Sequence, residues 1–462
     1  MNDYFGNPLA SRRRWLQTAS CGFGYFALAN LCAQANTNDA PSALVPSPLA
    51  AKPPHFQPRA KRVIFFFMGG APSHVDTFDY KPRLQSDDGK SAGDKGRKLM
   101  KSPFQFSRHG QSGLWLPEIF PHLAQHADDL CLLNSMYTDV AVHPQAVIEM
   151  HTGTFRFQRP SMGAWTLYGL GTENTELPGF ITINSPGGPQ TYASAFLPAS
   201  YQGTRIDGAG GRQGGGHVAN IDNPKLLADL QRKQLDLLAS MNRQRLTRDQ
   251  VNPEMEGLIE SYELAFRMEG AVPAILDLSS ETPATLASYG IGKKGTDNFG
   301  RQCLVARRFA EAGVRFIELG LGGWDQHNDL RAKLTANAHA IDQPIAGLLA
   351  DLKQRDLLKD TLIVWGGEFG RTPAAQKANG RDHNSAGFSM WLAGGGVKGG
   401  YRHGATDEHG AAAVDKKMHI NDLHATMLYL LGLDHTKLTY QYSGREFRLT
   451  DLAGTVHKDV IA

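Results

Sequence analysis

The sequence predicts an α/β protein built on a mainly parallel central sheet with helices on both faces. Two observations carry this. Short apolar runs alternate with segments of helical periodicity along most of the chain, the pattern of strands joined by helical crossovers. Three of the apolar runs, VIFFFMGGAPSHVDTFD, VRFIELGLGGWDQH and TLIVWGGEFGRTP, break into a glycine pair followed by acid or imidazole, as strand ends at a ligand site do. A composition of 462 residues, 41% hydrophobic and 20% charged, supports a packed core.

Residues 1–35 read as a secretory signal, with Arg12, Arg13 and Arg14 before an apolar run that closes on Ala33, Gln34, Ala35. Ser11 to Leu16, SRRRWL, resembles the twin-arginine export motif, which implies a periplasmic or secreted protein delivered folded. An uncleaved membrane anchor and a lipid on Cys32 are the alternatives. Cleavage after Ala35 removes three arginines and Asp3, so the formal charge falls from +3 to +1. A nearly neutral body offers no footprint for nucleic acid. Cys131 and Cys303 remain, each in an apolar segment, and are expected to be unpaired. No later window approaches the ~18 apolar residues of a membrane span.

Residues 36–60, rich in proline and alanine, read as an extended linker, with the fold (61–462) beginning near Lys61. Strands follow at 63–68, 131–136, 180–183, 314–319, 361–365 and 388–394. Helices are expected around PHLAQHADDL, after His143, over 297–313, from 329 to about 357 and in NDLHATMLYLLG. A glycine-dense loop (201–217), either a plain surface connection or a lid, and a helical stretch (224–290) read as insertions into the sheet domain.

The glycine-ended strands converge on one candidate site. If the chain stays extended beyond Gly323, Asp325 and His327 project to the same side, a pairing that suits a divalent metal. Glu368, and Asp382 with His383 just ahead of the next strand, supply partners. The metal expected is zinc, manganese or calcium. The alternative is that these acids pair instead with Arg371 and Arg381.

At these residues the chain resembles the alkaline phosphatase and sulfatase superfamily, and more closely a twin-arginine-exported bacterial family of unassigned function grouped with it. PHLAQHADDLCLLNSMYTDVAVHPQAVIEMHTG, GGWDQH, TLIVWGGEFGRT and HINDLHATMLYLLGL carry the resemblance, which covers roughly 61–455. It implies an alkaline phosphatase-like three-layer sandwich, with Asp325, His327 and His383 placed like ligands of one metal and Glu368 where an aspartate binds a second. The first strand ends in Gly69 and Gly70 where the superfamily has a metal-binding aspartate, leaving Asp76 or Asp79 to reach back. Where a nucleophile is expected stands His143, a ligand, catalytic group or cap. Ser161 is a fallback nucleophile or a helix N-cap. Arg371 is the exposed candidate to hold an anionic ester, or a solvated ion-pair partner. No Cys-x-Pro-Ser-Arg occurs, which argues against a formylglycine sulfatase. His151, His403, His409, His419, His424 and His435 lack the paired spacing of metal ligands, and Asp422 and Thr426 are expected to cap or pack their helix.

Two functions are therefore expected. One is an exported metal-dependent hydrolase of phosphate or sulfate esters, acting on a small molecule or a polysaccharide. The other is a non-catalytic relative that binds a carbohydrate or a partner protein.

Overall fold

The computed structural model describes residues 47–93, 96–185, 187–208, 228–249 and 253–462. The leader and most of the glycine-dense loop, with its expected lid role, lie outside the described residues. The chain divides into two units, Met1–Ser47 with Pro224–Met255, and Pro48–Asn223 with Glu256–Ala462. In the first, the helix Ala228–Asp249 is described. The second holds the sheet.

The sheet strands are β1 (Arg62–Met68), β2 (Leu130–Tyr137), β3 (Phe180–Ile183), β4 (Thr204–Ile206), β5 (Phe316–Leu321) and β6 (Thr361–Gly366). A hairpin, β7 (Gly370–Gln376) with β8 (Gly380–Asn384), stands apart before β9 (Phe388–Ala393), β10 (Tyr401–His403) and β11 (Met418–His419). The order across the sheet is β10-β2-β9-β6-β1-β5-β3-β4, with β11 also on β2. Among the described strands of this sheet, only β9 runs antiparallel to its neighbours. The mainly parallel α/β fold expected from the sequence is the fold observed.

β1 shows why the strands read as unbroken apolar runs. Ile64, Phe66 and Met68 face one buried cluster and Val63, Phe65 and Phe67 the other, so both faces are covered. Helices α3 (Asp297–Glu311) and α4 (Leu330–Gln354) pack on the first cluster. Helices α1 (His143–Thr152), α2 (Met162–Leu170) and α5 (Ile420–Leu430) pack on the second. Those are the three layers. Cys131 and Cys303 are free and buried, one on each side of the sheet.

Four expectations need correction. Residues 47–60 are no linker: Leu49 is buried, and the backbone from Lys52 to Ala60 bonds to Leu170, Leu430 and Gly432. The start of the glycine-dense stretch is the edge strand β4. PHLAQHADDL forms tight turns over Leu123–Asp129 broken at His126, not an α-helix. The hairpin β7 with β8 adds two strands where none was expected. No helix among the described residues is long and apolar enough to cross a membrane.

Candidate metal centre

β1, β5 and β6 end level, with Met68 beside Leu321 and Phe67 beside Gly366. The chain leaving β5 therefore carries Asp325 and His327 over the carboxyl edge, beside the turn after β1. Gly70, at φ +109°, makes this approach feasible, because a Cβ there would lie 2.6 Å from the Asp325 amide nitrogen. α1 opens with His143 and Pro144, a residue suited to a first helical turn, and points its N-terminus at the same edge. β8 delivers His383. The hairpin turn presses on the β5 loop so closely that a Cβ on Gly380 would meet the His327 carbonyl at 2.1 Å.

Four side chains meet: His143, Asp325, His327 and His383 place one ligand atom each within 4.8 Å of all the others. Asp325 Oδ1 is the hub, lying 2.9 Å from His327 Nε2, 3.2 Å from His143 Nε2 and 3.4 Å from His383 Nε2. Donors around a zinc ion stand about 3.4 Å apart, given bonds near 2.0–2.1 Å. Each imidazole is aimed by its other nitrogen. His143 Nδ1 meets Glu368 Oε1 at 2.6 Å, His383 Nδ1 meets the Ala141 carbonyl at 2.8 Å, and His327 Nδ1 meets the Gln376 side-chain oxygen. All three partners can only accept, so the protons sit on Nδ1 and three Nε2 lone pairs face one carboxylate. Such a crowd of acceptors is stable only with a proton or a cation among them, and His143 Nε2 has no hydrogen-bond partner. The donor set fits a divalent ion.

The electrostatics agree. Burial would raise the Asp325 carboxyl, but Arg371 bonded to it, with His143 and His327, holds it at about 2. Burial would lower His143, and its bond to Glu368 reverses this into a rise. Burial lowers His383, with Arg371 and the other two imidazoles adding to the effect.

Glu368, expected as a ligand, instead stands behind one. It is fully buried, its Oε1 taken by His143 and by the Gly70 amide at 3.0 Å, its Oε2 unpartnered. Arg371 is not exposed as expected. It is 1% exposed, bonded to the carbonyls of Gly70 and Ala71 and to Asp325 at 2.6 Å. Asp76 and Asp79 do not reach back: Asp76 is sealed against Arg381 at 2.6 Å, and Asp79 against Lys81 at 3.0 Å. Ser161 caps α2 by accepting from the Ala164 amide, and is buried. Asp382 pairs with Arg97 at 2.8 Å, outside the group. Sequence reasoning missed Gln376 and the Ala141 carbonyl, which no motif marks. It also passed over two further groups with metal-ligand spacing, His403 with His457 and Asp459, and His419 with Asp139 and Glu149.

Solved structures similar to this chain include PsFucS1 sulfatase from Pseudoalteromonas sp., 13% identical over 81% of this chain and 68% of that one, TM-score 0.35. Others are the lipoteichoic acid synthase LtaP from Listeria monocytogenes, 10% identical over 89% and 79%, TM-score 0.37, and a TAB5 alkaline phosphatase mutant with Mg bound, 8% identical over 81% and 99%, TM-score 0.33. No curated protein matches the sequence. Residues 60–461 match the DUF1501 model, described as a protein of unknown function, and the chain belongs to that family.

Proposed function

We propose that the protein is an exported, metal-dependent hydrolase of phosphate or sulfate esters, with His143, Asp325, His327 and His383 holding the ion. The observation that carries this reading is the shared orientation of the imidazoles. Each Nδ1 is taken by an outer partner, and each Nε2 lies within 3.4 Å of Asp325 Oδ1. Three nitrogens and one carboxylate suit zinc or manganese and speak against calcium, which takes oxygen ligands. A bound divalent ion would polarise an ester oxygen and make water a better nucleophile at neutral pH. Arg371 keeps Asp325 ionised, and Glu368 fixes the tautomer of His143. With side chains 22–45% exposed, the group is open to a solute. Among the described residues its hydrogen-bond and ion-pair partners include no hydroxyl or thiol, so this reading takes water as the attacking group.

The test is metal analysis of the purified protein together with hydrolysis of p-nitrophenyl phosphate and p-nitrophenyl sulfate, with and without chelator. Chelator-sensitive turnover of either ester supports the proposal. A metal-loaded protein that turns over neither favours the second reading, a non-catalytic member that binds a carbohydrate or a partner protein. What favours that reading is the burial of Arg371, whose guanidinium is already taken by the carbonyls of Gly70 and Ala71 and by Asp325. Export is proposed on SRRRWL. Arg12→Lys with Arg13→Lys should stop mature protein reaching the periplasmic fraction, and undiminished arrival would refute the route.

A further inference from the structure

Two polar atoms sealed beneath the candidate centre face one another with no hydrogen bond between them. His151 lies in the last turn of α1 and Glu318 in the middle of β5, 2% and 1% exposed. His151 Nε2 and Glu318 Oε2 are 3.4 Å apart, and neither has a hydrogen-bond partner. The other ring nitrogen, Nδ1, lies 2.7 Å from the Val147 carbonyl, which can only accept, so Nδ1 carries a proton. A neutral ring would then turn the Nε2 lone pair onto a carboxylate oxygen, in an apolar layer formed by Phe65 and Phe67. A second proton between the two atoms removes that conflict. Glu318 Oε1 accepts from Thr182 and Ser185, at 3.4 and 3.3 Å, which suits the ionised carboxylate.

The surrounding groups favour the charge on the ring. Burial would lower the His151 ring, but Glu318 on β5, the Val147 carbonyl and Glu368 after β6 outweigh it, so the ring is raised above its ordinary value. His424 on α5, whose Nε2 meets the Met150 carbonyl, is driven by burial down to about 4 and stays neutral.

We infer that His151 is held as an imidazolium paired with Glu318, and that this pair positions the metal group by clamping α1, which presents His143, to β5, which runs into Asp325 and His327. α1 is then tied to the sheet at both ends by an imidazole and a carboxylate: His143 to Glu368 beyond β6, His151 to Glu318 in β5. The distance from His143 Nε2 to Asp325 Oδ1 depends on both ties. His151 and Glu318 touch no ligand of the ion and are positioning residues. The effect on ion affinity rests on the proposed metal site, whereas the protonation of His151 does not.

The test uses the full chain with 15N-labelled histidine, read by NMR, and titration with Co2+ as the probe ion. In the wild type, the ring signal that vanishes in His151→Phe should keep its second proton above the pH at which an ordinary histidine, near ~6.5, gives it up. In Glu318→Gln that ring should become neutral while the amide donates to Nε2, so Co2+ affinity stays within about 3-fold of wild type. Glu318→Leu removes the tie and should weaken Co2+ about 10-fold or more, the scale seen for partners behind metal ligands. Should that single variant fail to fold, His151→Leu with Glu318→Leu leaves no buried charge unpaired and is read the same way. A His151 ring that titrates in the ordinary range, or unchanged Co2+ affinity once the tie is gone, overturns the inference. A wild type that binds no Co2+ overturns the metal site, and the NMR result still decides the state of the pair.

Discussion

Two aspartate–arginine pairs hang from the same hairpin and differ in what each leaves unused. Arg381 on β8 meets Asp76 twice, Nε to Oδ2 at 2.6 Å and Nη2 to Oδ1 at 3.0 Å, and both side chains are fully buried. Its remaining donors reach the carbonyls of Thr372, Pro373 and Met100, and Ser73 donates to Asp76. Arg371 on β7 meets a single oxygen of Asp325, a side chain 45% exposed, and three imidazole nitrogens share that oxygen. The first pair is closed, with every valence spent inside the protein. The second is open, its carboxylate reachable from solvent and crowded by donors that want a cation. Proximity of an acid to an arginine therefore says little about ligand binding; spare lone pairs and access decide it.

The strongest challenge to this contrast is Asp76→Ala. It strands a buried guanidinium and should cost about 3–5 kcal/mol in urea unfolding. Asp325→Ala should cost clearly less stability, since its partner keeps two backbone carbonyls and the carboxylate is half in water, yet it should abolish binding of a divalent ion. Equal losses of stability would erase the distinction. Next in size, His383→Ala removes a ligand itself and should weaken ion binding by more than the roughly 10–100-fold that partners behind ligands contribute. His435→Ala should leave affinity unchanged, because that ring is buried elsewhere against the Thr450 hydroxyl. Isothermal titration of both variants checks this.

The smallest effect is in pH. Asp325 is held at about 2 in the folded protein, below the ~3.9 of an unfolded aspartate. The stability it contributes is therefore present above about pH 5 and lost as pH falls toward 2. The Tm difference between metal-free wild type and Asp325→Asn should be modest at neutral pH, given the exposure, and vanish near pH 2. A gap that persists into acid would show that the open pair contributes packing rather than charge.

Much of the fold was legible in the sequence because the central strands are apolar on both faces. β1, β3, β6 and β9 sit within a residue or so of the expected runs, while β5 begins two residues late. The hairpin escaped because Pro373 and the small residues around it lack alternation, although Asn379 before Gly380 is a turn signal that could have found it. That omission hid the most about the site. Register across the hairpin sets His383 beside Arg371, which brings an imidazole and a guanidinium to one carboxylate. Asp325 and His327 could be marked as candidates from a strand end, and His383 from its place just ahead of the next strand. That His143 stands in front of Glu368 could not be read, because it depends on where α1 lands. Nor could the burial of Arg371, which depends on the turn after β1 offering its carbonyls.

The segment ahead of β1 has a consequence for how the chain is made. His55 and Phe56 bond to Gly432, Arg59 and Ala60 to Leu430, and the Arg59 guanidinium reaches the carbonyl of Ala462, 403 residues further on. A ribosome releases this strap hundreds of residues before its partners, so the seam cannot close until α5 and the turn after it have emerged. Contacts of such long separation also tax the search for the native state, since the intervening loop must be ordered before they form. Closure of the seam thus waits for α5: a product cut short after β9 would carry most of the sheet and still leave this seam undone.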